Sequence, residues 1–268
     1  MTQLYQRPAE YDLEHVGDED DIRFYLDLAK RLRPESILEL ACGTGRITLP
    51  LAEQGARSGF SIVGLDSEAT MLQQARDKLR HMPAAARRRT ELVRGDMRKW
   101  HGRTPFGLVI VPCSSITHVQ ELCDQLDVWR RAFENLTPGG RFVVEATMPN
   151  FAAYADSFAN PPRAIVEIDH DVVDRARNVR LVRRRTVTYL PDEQRAQIRF
   201  LYEKYRGRKL VENYIDDFAS HVYFPRELQL LFMHSGFEIE DVFGDYNRRP
   251  LRPSSRQMIV IGRRPRHS

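Results

Sequence analysis

Only three cysteines occur in the 268 residues, Cys42, Cys113 and Cys123. They form neither an even set nor a Cys-x-x-Cys pair, so they read as reduced thiols, and neither a disulfide framework nor a structural metal is expected. No apolar run approaches the roughly 20 residues that span a bilayer. The leader Met1-Thr2-Gln3-Leu4-Tyr5-Gln6-Arg7 has no apolar segment after its charge, which excludes a secretory signal of the usual kind. A cytoplasmic protein with no membrane partner is the expectation. A large excess of one charge is missing too: 41 basic residues stand against 37 acidic ones, for a net charge of +4. The basic excess is local, in Arg87-Arg88-Arg89, Arg183-Arg184-Arg185 and the tail from Arg263 to Arg266. None of these runs is interleaved with aromatics, so they read as solvated faces and nucleic acid is not the expected partner. Internal repeats and low-complexity linkers are absent as well. What remains, with 42% apolar composition, is enough chain for one large α/β domain with an insertion, or for two small domains sharing a core.

The most informative stretch is Ser36-Ile37-Leu38-Glu39-Leu40-Ala41-Cys42-Gly43-Thr44-Gly45-Arg46, an apolar run that breaks into Gly-x-Gly just as helical periodicity begins. Such a strand, turn and helix leaves the backbone bare at Gly43 and Gly45, and the N–H groups that open the helix face whatever sits in the turn. The next apolar run, Gly59 to Leu65, ends in Asp66. An acid about twenty residues past the glycines is placed to reach ribose hydroxyls from the end of the neighbouring parallel strand. Position 48, where a dinucleotide fingerprint carries its third glycine, is Thr48. A mononucleoside therefore suits the turn better than a pyrophosphate.

Further along, the run Thr90 to Arg94 leads into Gly95-Asp96-Met97-Arg98, and the nearly all-apolar Phe106 to Pro112 stops in Cys113-Ser114-Ser115-Ile116-Thr117-His118. Helical stripes follow each strand, and Thr137-Pro138-Gly139-Gly140 separates the helix from Leu122 to Leu136 from a fifth strand, Arg141 to Thr147. Five alternations predict a Rossmann-like, mostly parallel seven-stranded sheet with helices on both faces and ligands beyond the carboxyl ends of its strands. After a short helix and turn over 151–162, the segments 164–169, 180–189 and 194–205 alternate at period two, as antiparallel strands do. Residues 1–150 and 221–268 are thus expected to form the sheet domain, with 151–220 an inserted antiparallel β cover. That insertion either pairs two chains edge to edge, as a homodimer, or is covered within one chain. The runs 237–243 and 257–261 suit a hairpin on the sheet edge.

Glu39-Leu40-Ala41-Cys42-Gly43-Thr44-Gly45, Asp66, Gly95-Asp96-Met97, the apolar strand before Ser115, and Pro138-Gly139-Gly140 occur in the order found in class I S-adenosylmethionine-dependent methyltransferases. The chain resembles that family over about residues 30–148. Its tail, from His221-Val222-Tyr223-Phe224-Pro225-Arg226-Glu227-Leu228 through Ser235-Gly236-Phe237 to Gly244-Asp245-Tyr246, resembles the small-molecule branch, in which an antiparallel insertion follows the fifth strand. The resemblance implies S-adenosyl-L-methionine as cofactor, with its methionyl part over Ala41 to Gly45 and its ribose on Asp66. It implies that Asp96 accepts from the adenine amino group, with Met97, Met71 and Ser67 near the ring. Cys113 to Ser115 would lie under the sulfonium and Tyr11 would close over the carboxylate. Glu39 either orients the cofactor's ammonium or ties down the turn. The implied activity is methyl transfer to an N or O atom of a small-molecule acceptor. An RNA methyltransferase using the arginine clusters, or a non-catalytic cofactor-binding protein of the same fold, is the alternative. Candidate bases near the carboxyl edge are His118, Glu145, His221, Tyr223 and Tyr246, of which His118 is named as the catalytic residue.

Overall fold

The computed structural model describes residues 3–266; Met1 and Thr2 of the leader, and His267 and Ser268, lie outside the described residues. The chain divides into two compact units, one of Asp18–Met148 with Tyr223–Ser268, the other of Met1–Gly17 with Pro149–Val222. Along the chain come the helix α1 (Pro8–Glu14), then α2 (Asp20–Leu32), the strand β1 (Ser36–Leu40), α3 (Thr48–Ser58), β2 (Ser61–Asp66), α4 (Ala69–Arg80) and the one-turn α5 (Ala84–Arg87). β3 (Thr90–Arg94), β4 (Phe106–Val111), α6 (Leu122–Asn135) and β5 (Leu136–Thr147) follow. The one-turn α7 (Phe151–Tyr154), β6 (Glu167–Asp174), β7 (Val179–Leu190), β8 (Arg195–Arg206) and β9 (Lys209–His221) precede α8 (Pro225–His234), β10 (Glu238–Phe243) and β11 (Gln257–Arg263).

In the larger unit seven strands lie in the order β10-β11-β5-β4-β1-β2-β3. β1 to β5 are parallel, and β11 runs antiparallel to both β5 and β10. The chain order reverses between β1 and β4, so a crevice opens beyond their carboxyl ends, where open α/β sheets bind ligands. Period-two alternation sorts the strand side chains into two layers. Leu38, Val109, Val144 and Val260 join α6 and α8 around Trp129 and Phe232, while Ile37, Ile110, Val143 and Ile259 pack on α2 and α3 against Phe24, Tyr25 and Leu51. A register shift between Phe106 and Leu108 explains why these two, though separated by one residue, belong to opposite layers. β5 begins at Leu136, ahead of the expected Arg141, because Leu136 already pairs with Phe106. Among the described residues no helix is long and apolar enough to cross a membrane.

In the smaller unit the strands form an antiparallel sheet in the order β6-β7-β8-β9. β9 is an addition to the three strands expected from the sequence, and it pairs with β8 along nearly its whole length after a turn at Gly207, whose φ of 60° suits glycine. Residues 3–17, which the sequence assigns to the sheet domain, belong here instead. Leu4, Tyr5, Tyr11 and Leu13 pack with Leu181, Phe200 and Tyr202. Asp216 accepts the Gln3 and Leu4 N–H groups at 2.8 and 2.9 Å, Glu10 takes the Tyr214 hydroxyl and the Lys204 ammonium at 2.6 and 2.7 Å, and Arg183 donates to Glu14 and Asp169.

Candidate functional site

The carboxyl end of β1 turns through three residues with positive φ, Ala41 at 57°, Gly43 at 55° and Gly45 at 80°. Glycine takes this conformation freely, whereas for alanine it costs about 1–2 kcal/mol. A β-carbon on Gly45 would also come within 3.0 Å of Leu49 Cγ. Beside this turn, β4 ends in a second left-handed pair, Cys113 at 57° and Ser114 at 54°. Backbone strain thus concentrates at the switch point, where functional sites often store it.

Asp66 closes the turn from β2. Its Oδ2 accepts the Gly43 N–H at 2.7 Å and its Oδ1 the Glu68 N–H at 2.8 Å. Burial pushes this carboxyl above its ordinary range, and the N–H donors of Glu68, Gly43 and Ser67 pull it back. The backbone links the next loop as well, since Gly95 N–H donates to the Asp66 carbonyl at 2.9 Å. A β-carbon at 95 would crowd the Leu65 side chain at 2.8 Å and the Trp100 ring at 3.0 Å, so glycine lets the loop pack close.

These loops border a cleft of about 390 Å³ lined by Ala41, Asp66, Ser67, Asp96, Met97 and His118, with Arg98 and Asp124 on the same wall. Asp96 is held in a fork: Arg98 Nε donates to Oδ1 at 2.9 Å, Nη2 to Oδ2 at 2.6 Å, and the Arg98 N–H to Oδ1 at 2.9 Å. The guanidinium also reaches Asp124 Oδ2 on α6 at 2.5 Å. Its hydrogen bonds hold the Asp96 carboxyl below the usual range, so the group is ionised at neutral pH. Sequence reasoning passed over Arg98 and Asp124; Arg98 immediately follows the Gly-Asp-Met motif, while Asp124, on a helix distant in sequence, leaves no local signal.

A second, buried cluster stands at the carboxyl ends of β4 and β5. Glu145 accepts the Tyr246 hydroxyl at 2.6 Å and the Cys113 N–H at 3.2 Å, with the Tyr25 hydroxyl at 3.4 Å. Burial pushes its carboxyl up to about 7. Arg46 forks onto Asp21 and donates to Cys113 Sγ at 3.0 Å. Glu39 lies nearby, buried, accepting from the Thr48 hydroxyl, and burial raises its carboxyl to about 8.

Of the residues expected to gather at one site, Ala41, Asp66, Ser67, Asp96, Met97 and His118 share the cleft. Gly43 and Gly45 shape its turn. Met71, which the resemblance places near the ring, is 2% exposed and lies beneath Gly43. Glu39 accepts from the Thr48 hydroxyl at the start of α3. Cys113 borders the Glu145 cluster and Ser115 opens the short 3-10 turn that ends at His118. Tyr11 belongs to the smaller unit, where its ring stands 4.3 Å from that of His15. Tyr223 is fully buried beside Trp129, a packing role rather than a catalytic one.

Residues 37–140 match a family described as a methyltransferase domain. The chain is similar to the cypemycin N-terminal methyltransferase of a Streptomyces species, 26% identical with 84% of this chain and 82% of that protein covered. It spans less than half the length of other curated methyltransferases that it matches at 31% and 33% identity. Among solved structures it resembles the CcbJ methyltransferase of Streptomyces caelestis, with a TM-score of 0.74, 24% identity and coverage of 91% and 90%. It also resembles an S-adenosylmethionine-dependent methyltransferase of Clostridium acetobutylicum, with a TM-score of 0.72, 14% identity and coverage of 98% and 97%. The fold is that of this class: a Rossmann-like, mostly parallel seven-stranded sheet with an added antiparallel sheet.

Proposed function

We propose that this chain, whose residues 37–140 match the methyltransferase domain family, transfers a methyl group from S-adenosyl-L-methionine to an N or O atom of a small molecule. The observation that carries the reading is Asp66, a buried carboxylate fixed by two backbone N–H groups at the rim of a nucleoside-sized cleft. Its remaining lone pairs suit a pair of vicinal hydroxyls, and the left-handed turn at Ala41 and Gly43 keeps side chains clear of the ligand's path. Asp96, ionised and forked by Arg98, supplies an acceptor for an exocyclic amine, with Ser67 and Met97 beside it. The cofactor's sulfonium would supply an electrophilic methyl group. The protein's share is alignment and exclusion of water, a contribution of up to about 7–11 kcal/mol for a well-oriented reaction. The strained Cys113–Ser114 turn, held by Glu145 and by the Ser114–Thr147 hydroxyl pair at 2.9 Å, gives that alignment a rigid floor. His118, exposed on the cleft rim, takes the acceptor's proton.

The RNA alternative loses its motivation at 183–185. Arg183 is buried on Glu14 and Asp169, Arg184 pairs with Glu203, and Arg185 with Asp169 and Glu167, so the run's charges are met within its own unit. The deciding experiment is calorimetry with S-adenosylmethionine and its demethylated product. Saturable binding, lost on Asp66→Ala, is expected, and no binding to the intact protein would refute the reading. Labelled cofactor with a metabolite extract then identifies the acceptor; failure to label any metabolite while the cofactor binds would favour the non-catalytic alternative.

A further inference from the structure

The Arg98 fork does more than neutralise a carboxylate. Arg98 is the lone lysine or arginine among the described residues that line the cleft, in a wall otherwise carrying Asp66, Asp96, Glu121 and Asp124. All three of its nitrogens donate to two of those acids, Nε and Nη2 to the two Asp96 oxygens and Nη1 to Asp124 at the far end of the fork. A bidentate guanidinium fixes the plane of its carboxylate, which a point charge such as lysine does not. The Arg98 backbone N–H adds a third donor, to Oδ1. Asp96 is therefore presented to the cleft in one orientation and one charge state, as an acceptor that cannot donate. The anchor at Asp124 on α6 ties that presentation to a packed helix rather than to the loop alone.

Resting on the cofactor reading above, we propose that Arg98 is a positioning residue that sets purine specificity: by locking Asp96 as a pure acceptor, it makes the cleft accept a 6-amino purine and reject a 6-oxo one. A 6-amino group donates to the fixed carboxylate. A 6-oxo group turns a lone pair toward it and is repelled. Without Arg98, Asp96 loses its fixed plane and can turn to accept the N1–H of a 6-oxo purine, so the preference for a 6-amino group falls.

The test compares calorimetric binding of S-adenosylhomocysteine and S-inosylhomocysteine to the full chain and to its Arg98→Ala, Arg98→Gln, Arg98→Lys and Asp124→Asn variants, each checked for an unchanged thermal melt. The intact protein is expected to prefer the adenosyl ligand by about 10-fold or more, the range of a well-placed polar contact. In Arg98→Ala and Arg98→Gln that preference drops at least about 5-fold while adenosyl binding remains measurable. Arg98→Lys recovers only part of it, because an ammonium does not fork. A simple structural tie would weaken both ligands equally and leave their ratio unchanged, and that result overturns the proposal. Equal binding of the two ligands by the intact protein also overturns it, while leaving the cofactor reading standing. If the intact protein binds neither, the cofactor reading fails and this inference with it. Should the Arg98 variants not fold, Asp124→Asn carries the test through the same ratio, with a smaller expected drop, and an unchanged ratio there counts against the proposal.

Discussion

Two buried carboxylates, Asp66 in the larger unit and Glu14 in the smaller, are held in opposite ways. In the larger one, Asp66 is satisfied by main-chain N–H groups at 2.7 and 2.8 Å, which leaves the rest of its lone pairs open to the cleft. In the smaller one, Glu14 meets the buried guanidinium of Arg183 at 2.5 Å, and that guanidinium is shared with Asp169 and lies 4.1 Å over the Phe200 ring. Main-chain donors need no partner side chain: at Asp66 they leave the carboxylate open to the cleft, whereas at Asp216 the same kind of donor ties Gln3 and Leu4 to β9. Side-chain ion pairs close the carboxylate off, so they suit a carboxylate that staples an arm to a sheet. The contrast is between a carboxylate prepared for a ligand and one used up in architecture.

The sharpest way to break the contrast is Arg183→Ala. It strands a buried carboxylate at Glu14, and the loss of folding stability is expected at about 3–5 kcal/mol. The paired change Glu14→Leu with Arg183→Met should recover most of it, as read by urea unfolding of single and double variants. No recovery would mean that the arm is held by packing and not by the ion pair.

Next in size is the dependence of stability on pH. Burial raises Glu14 and Glu145 to about 7 and Glu39 to about 8. Raised folded-state values mean that the folded chain binds more protons than the unfolded one between the ordinary glutamate range and those values. Stability is therefore expected to fall as pH rises from the ordinary glutamate range through 7 to 8. Glu145→Gln should flatten part of that slope, and a slope identical to that of the intact chain would show that Glu145 does not titrate in this window.

At Asp66 the loss should fall on the ligand instead of the fold. Asp66→Asn is expected to weaken S-adenosylhomocysteine by about 30-fold, near 2 kcal/mol for hydrogen bonds to a charged acceptor, while the urea midpoint moves little. A large drop in stability with unchanged affinity would place Asp66 with Glu14 on the architectural side. The smallest effect is at Ala41, whose φ of 57° is strained for alanine. Ala41→Gly should raise stability by no more than about 1 kcal/mol, and a clear loss would mean that the methyl group packs usefully.

Much of the larger unit was legible because its signals are local. Hydrophobic periodicity marked β1 to β5, and Asp66 and Asp96 each follow directly on the strand or glycine that presents them. The hairpin at the tail was legible too, though not that β11 would insert beside β5 with β10 outside it. β9 escaped notice because the run Lys209 to His221 mixes acids with aromatics and its alternation is offset by a bulge opposite Lys204 and Tyr205. The arm at 3–17 escaped because its partners, Asp216, Lys204, Tyr214 and Arg183, are far away in sequence.

The sequence by itself determined the strand–turn–helix rhythm, the bare glycine turn and the acids beyond it, since these depend on backbone freedom and on spacing along one stretch of chain. Only the tertiary structure decided which carboxylates stay open and which are consumed. That choice rests on donors brought together from distant segments: Arg98 with Asp124, Tyr246 with Glu145, and Arg183 with Glu14. A carboxylate's charge state and availability follow from its burial and its partners, and neither can be read from the residue alone.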